Sequence, residues 1–150
     1  MIFMKISLKC QYALRALFAL ARREREGWSN VTEIAEEQAI PPRFLENILR
    51  QLRQGGFVDS RRGQGGGFFL ARPARDIRVG EVIRFIEGPM HPTGWAAEPS
   101  AGRPRGHGPF ERLWNEAQKA LEAVYDSSTL RDLAEEDRRL ASNSANDYSI

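Results

Sequence analysis

Arg43, Glu46, Asn47, Arg50 and Arg53 fall at helical spacing, so one helix face would carry three guanidiniums, a carboxylate and a carboxamide. These groups suit the reading of nucleic acid. Arginine pairs bidentately with guanine or phosphate, asparagine with adenine, and a carboxylate accepts from cytosine. For Glu46 an ion pair to Arg43 or Arg50 is an equal alternative. Arg61 and Arg62 follow, immediately before Gly63-Gln64-Gly65-Gly66-Gly67. That glycine run lacks the Lys-Ser/Thr that would make it a phosphate-binding loop of a nucleotide hydrolase, and no nucleophile or metal constellation stands elsewhere, so an enzyme is disfavoured.

The elements that must position these groups can be read from apolar periodicity. Pro41 and Pro42 suit a helix start, and Leu45, Ile48, Leu49 and Leu52 form a buried stripe opposite the polar face. Gly55-Gly56 stops that helix. Phe57-Val58 begins a strand that turns through Gly63 to Gly67 and returns as Phe68-Phe69-Leu70. Upstream, Ser7 to Ala21 predicts a well-buried first helix with Arg22, Arg23 and Arg25 towards its end and Gly27 as its stop; Lys9 and Arg15 could meet phosphate. Thr32 is a plausible cap for a short helix through Gln38. Two short helices joined by Ala39-Ile40-Pro41 and followed by a small hairpin predict a winged helix-turn-helix DNA reader.

Beyond the hairpin, Val79, Val82, Ile83 and Ile86 predict a short amphipathic helix ending at Gly88. Residues 88–109 hold five prolines and five glycines and predict a loop. Phe110, Leu113, Trp114, Ala117, Leu121, Val124 and Tyr125 then share one side of a long helix, which predicts a homodimer interface. After Asp126-Ser127-Ser128-Thr129, the residues Leu130, Leu133, Ala134 and Leu140 predict a last helix with a hydroxyl cap. The fold class is thus mainly α with a small β-hairpin wing. Residues 1–88 form the DNA-binding domain, 89–109 a Pro/Gly-rich loop, 110–141 the dimerisation helices and 142–150 a flexible tail.

Net charge is +2, but residues 40–84 hold nine arginines and four acids while residues 110–150 hold five bases and nine acids. Basic charge is concentrated where phosphate would be met. The single cysteine, Cys10, excludes an intrachain disulfide framework, and no apolar run is long enough to cross a membrane, so the cytoplasm is the expected compartment.

Four stretches carry a family resemblance: Lys5-Ile6-Ser7-Leu8-Lys9-Cys10-Gln11-Tyr12-Ala13-Leu14, Phe44-Leu45-Glu46-Asn47-Ile48-Leu49, Arg61-Arg62-Gly63-Gln64-Gly65-Gly66-Gly67 and Val79-Gly80-Glu81-Val82-Ile83. Together they resemble the Rrf2 family of transcriptional regulators over nearly the whole chain. Ile86-Glu87-Gly88-Pro89-Met90 and the run from Asp126 to Ala134 look most like its cysteine-metabolism repressor branch. The resemblance implies a cytoplasmic homodimeric repressor of cysteine or sulfur metabolism genes, bound to a pseudo-palindromic operator in double-stranded DNA. It implies base readout by Arg43, Glu46 and Asn47, with Arg62 of the wing in the minor groove. Arg50, Arg53, Arg61 and Lys9 are the candidate phosphate contacts.

Cluster-binding branches of the family carry three cysteines between the fourth helix and the long one. This chain has none there, and His91, His107 and Glu111 cannot replace three thiolates, so no iron–sulfur cluster, other metal or cofactor is expected. Tyr148, Ser149 and Ile150 resemble the tail by which the cysteine-metabolism branch engages cysteine synthase, a partner that fits capture of a terminal carboxylate. Two rival readings stand beside this one: a redox sensor using Cys10, with Lys9 lowering its pKa, and a protein whose main task is binding cysteine synthase.

Overall fold

The computed structural model describes residues 6–90 and 108–148. Its first helix, α1 (Leu8–Arg22), is capped by Ser7, whose hydroxyl accepts from the backbone N–H of Cys10 at 3.1 Å. Alanines 13, 16, 19 and 21 with Leu17 and Leu20 are buried along it, small side chains that let four other helices close around one axis. The helix stops at Arg22, short of the expected Gly27. A 3₁₀ turn over Glu24–Glu26 fills the interval, and Gly27 then turns the chain at φ 99°.

α2 (Val31–Gln38) is capped by Asn30 rather than by Thr32. Asn30 accepts from Glu33 N at 2.8 Å and Glu33 reaches back to Asn30 N at 3.2 Å, which satisfies two end donors at once. The three-residue turn to α3 (Pro42–Gln54) places Ala39 at φ 53°, and Ile40, 2% exposed, drops into the core with its N–H on Ala35 O at 3.0 Å. Leu45, Ile48, Leu49 and Leu52 are each at most 2% exposed, as their spacing requires. Each contributes about 1.5–3 kcal/mol by burial, which fixes the rotation of α3 and so the direction of its polar face.

β1 (Val58–Arg61) pairs antiparallel with β2 (Gly67–Leu70) in the register Val58↔Leu70 to Arg61↔Gly67. Ser29 adds a further rung that no local pattern announces. It exchanges backbone hydrogen bonds with Phe68 at 2.9 and 2.8 Å, so the segment before α2 is stitched to the hairpin. A second 3₁₀ turn, Ala74–Asp76, leads to α4 (Val79–Glu87), with Val82 and Ile83 buried and Gly88 closing it.

α5 (Gly108–Asp126) and α6 (Leu130–Asp147) complete the described chain. Thr129 is the hydroxyl cap of α6, in a reciprocal pair with Asp132. α6 continues through residues 142–147, in place of the expected flexible tail; Leu130 and Ala134 anchor its first turns, and no proline or glycine interrupts the rest of the helix. The Pro/Gly-rich stretch lies, from His91 to His107, outside the described residues.

The reader is tied to the long helices by a clamp. Arg84 on α4 grips the Asp126 carboxylate at 2.9 and 3.2 Å, and Arg78 Nη1 donates to Asp126 O at 2.7 Å. That bidentate pairing raises the Arg84 pKa, so the cation is held firmly. Gly80 makes the approach possible, because a Cβ there would run into the Asp126 carboxylate.

Candidate nucleic-acid interface

α3 presents Arg43, Glu46, Asn47, Arg50 and Arg53 to solvent, all exposed. Arg50 Nη1 donates to Asn47 Oδ1 at 3.3 Å, which orients the carboxamide and leaves its N–H pair free to donate. Among the described residues Glu46 makes no ion pair with Arg43 or Arg50, so its carboxylate is open to an amino donor such as cytosine N4. Arg53 is paired with Asp59 of β1, Nε to Oδ1 3.5 Å, both about half exposed; it must exchange that partner for any phosphate. Phe44 belongs with this set although its residue type hid it: 63% of it is exposed on an otherwise polar helix face, where an apolar ring can contact a thymine methyl.

In the wing, Gly63 and Gly65 take φ values of 105° and 74°, conformations that carry the chain through a tight tip. Gly66 and Gly67 are small for a different reason. A Cβ on Gly66 would meet the carbonyl of Arg61, and one on Gly67 the carbonyl of Ser29, with Asn30 N only 2.9 Å away. The glycines therefore permit both the turn and the rung to Ser29. Arg61 lies over Trp28, 4.4 Å from the ring centroid, an arrangement invisible in the sequence because the partners belong to separate segments. Arg62 is exposed and, among the described residues, carries no ion pair or hydrogen bond.

Lys9 is exposed on the first turn of α1, as a phosphate contact requires. Arg15 is spent otherwise: it donates to the Gln38 carbonyl and thereby holds the end of α2. Cys10 is a correction. It is fully buried, and burial with the nearby Glu87 carboxylate pushes its thiol up to about 11, so Lys9 does not make it a reactive thiolate and the redox role loses its chemical basis.

No residue of α5 is buried, and Phe110, Leu113 and Val124 are 60%, 46% and 65% exposed. Phe110 stacks on Trp114 with centroids 6.2 Å apart, and Ala117 is half-buried. Leu121 differs from the rest of the expected interface: with Tyr125 it packs on the small cluster of Cys10, Ile83 and Met90, inside the chain's own fold. Tyr148 succeeds α6 at 90% exposure; Ser149 and Ile150 lie outside the described residues.

A cysteine-ligated cluster does not fit this donor set. Its one thiol is shut in a helix core, and the described residues hold no group of three or more His, Cys, Asp or Glu placed to share an ion. Nor, among the described residues, is any helix long and apolar enough to cross a membrane.

Comparison with known proteins agrees with this geometry. The family model Rrf2, described as an iron-dependent transcriptional regulator, matches residues 6–136. The HTH-type transcriptional regulator CymR of Bacillus subtilis is 34% identical over 131 residues, 87% of this chain and 90% of that protein. Its solved structure, described as that of the global cysteine regulator, superposes with a TM-score of 0.75 over 89% of this chain and 98% of that one. T. potens IscR, also 34% identical, superposes at 0.72 over 89% of this chain and 88% of its own.

Proposed function

The chain belongs to the Rrf2 family of transcriptional regulators, and we propose that it acts as a homodimeric repressor of cysteine or sulfur metabolism genes. The observation that carries the DNA-reading part is the pairing of an open polar face on α3 with a wing arginine that has no partner among the described residues, both held by the buried core. Arg43, Glu46 and Asn47 read base edges in the major groove, and Arg62 enters the adjacent minor groove. Arg50, Arg53, Arg61 and Lys9 meet phosphate and set the register.

Dimerisation explains α5. A helix of 19 residues without one buried side chain, and with Phe110, Leu113 and Val124 in solvent, leaves an apolar face that a second copy covers. A two-fold dimer in turn demands a pseudo-palindromic operator. The regulon follows from likeness to CymR, the global cysteine regulator of B. subtilis. Control by cysteine synthase through Tyr148, Ser149 and Ile150 completes the reading; Tyr148 stands clear of the fold and is open to a partner.

Genome-wide mapping of bound promoters tests the regulon. Recovery of sites upstream of sulfur-assimilation and cysteine-synthesis genes, each with an inverted repeat, is the expected result; recovery of unrelated promoters overturns the assignment. Pull-down with purified cysteine synthase, before and after deletion of residues 148–150, tests the partner. A complex that survives the deletion overturns the tail.

A further inference from the structure

A cleft of about 440 Å³ opens between the end of α1 with its 3₁₀ turn, the second 3₁₀ turn, and the first turns of α6. Its volume falls in the range of small-molecule sites. Ala21, Ala74 and Ala134 line its base at 5%, 2% and 3% exposure. Its rim is built of arginine. Arg22 is committed to Glu37 and Asp137, and Arg131 to Glu135 at 2.9 Å. Arg25, Arg75 and Arg138 are exposed and, among the described residues, have no ion pair.

The carboxylates nearby do not balance them. Glu24 accepts from Ala74 N at 2.6 Å, which fastens the two 3₁₀ turns together, and Glu135 is taken by Arg131. Glu24, whose partner is a neutral backbone N–H, and Glu26 keep their charge, so two carboxylates stand against three uncommitted guanidiniums. Like charges gathered on one rim repel, and a bound anion relieves that repulsion while its oxygens accept several charge-assisted hydrogen bonds.

We propose that this cleft binds a small polyanion, a metabolite carrying two or more carboxylate or phosphate groups. Arg25 and Arg75 come from the reader and Arg138 from α6, so a ligand held by all three spans the seam between the DNA-binding unit and the last helix. Its effect on promoter affinity rests on the transcriptional reading above; its binding does not.

Isothermal titration calorimetry of the full-length protein with citrate and with pyrophosphate, at matched ionic strength and without DNA, tests the site. Saturable binding of at least one probe, half-maximal below about 1 mM, is expected. The Arg75→Gln/Arg138→Gln variant should bind about tenfold or more weakly, because two charge-assisted contacts are lost. Its thermal midpoint without ligand should match the parent, and Arg138→Gln alone supplies the same reading should the pair disturb folding. No saturable heat with either probe, or equal affinity in the variants, overturns the proposal. So does a variant that keeps probe affinity but loses salt-dependent promoter affinity, which would make these arginines contacts to DNA phosphate.

Discussion

Arg62→Ala separates the wing's part in DNA reading from its part in the fold. The side chain is exposed and, among the described residues, carries no intramolecular partner, so its removal should change stability by no more than about 0.5 kcal/mol. In the complex a base-contacting arginine is worth about 1–3 kcal/mol, which converts to roughly fivefold to 150-fold in affinity for each half-site, and a two-fold dimer loses one arginine in both. The charge adds a second signature: the slope of log affinity against log salt should fall by up to about 0.9 for each guanidinium removed, once per half-site. Fluorescence anisotropy on a mapped promoter fragment across a salt series reads both. Asp59→Ala is the internal control with the opposite sign. It releases Arg53 from a half-exposed ion pair worth at most about 1 kcal/mol and removes a negative charge beside the wing, so affinity should rise a few-fold. Arg62→Ala binding within about twofold of the parent at every salt concentration would show that the wing arginine does not enter a groove.

Four further outcomes rest on the packing. Leu113→Asp, placed on the unburied face of α5, should shift the protein from dimer to monomer in analytical ultracentrifugation and cost promoter affinity; a variant that stays dimeric refutes the interface. Cys10 should react with iodoacetamide about a hundredfold more slowly than an ordinary thiol near neutral pH, since its thiolate forms only around pH 11. Burial favours its protonated form, so the associated stability is complete below the unfolded thiol's pKa and is lost as pH rises towards 11, by about 2 kcal/mol in urea titrations; a pH-independent midpoint across that window contradicts it. Gly80→Ala should force the Asp126 carboxylate from Arg84 and lower stability by about 1–3 kcal/mol, an effect that should shrink when Asp126→Asn is already present.

Local chemistry is what the sequence makes legible. The rotation of α3 can be read because Leu45, Ile48, Leu49 and Leu52 repeat with the helix and Pro42 and Gly55 bound them. The wing is legible because its glycines sit at the turn they permit. Residues whose roles depend on distant segments are not. Asn30 wins the cap of α2 over Thr32 because Ser29 beside it is already fixed to Phe68, which sets the chain's entry into the helix. The end of α6 is hidden because polar, small residues look like a tail when only apolar periodicity is counted, yet Ala141 and Ala145 cost a helix little once Thr129 and Leu130 have started it.

Cys10 shows the same limit from the side of reactivity. Lys9 is its neighbour in sequence, but burial among Ile83, Met90 and Leu121 and the charge of Glu87 decide its proton. The division extends to function. The proposed contacts to DNA come from α3, the hairpin and Lys9 on α1, each written in a short stretch. The Arg84–Asp126 clamp and the cleft proposed to bind a polyanion are instead assembled from segments dozens of residues apart. The clamp joins α4 to the end of α5, and the cleft lies between α1, the second 3₁₀ turn and α6. Neither feature includes a base-reading side chain of α3, so a ligand bound in the cleft would reach DNA affinity only through the packing between these elements.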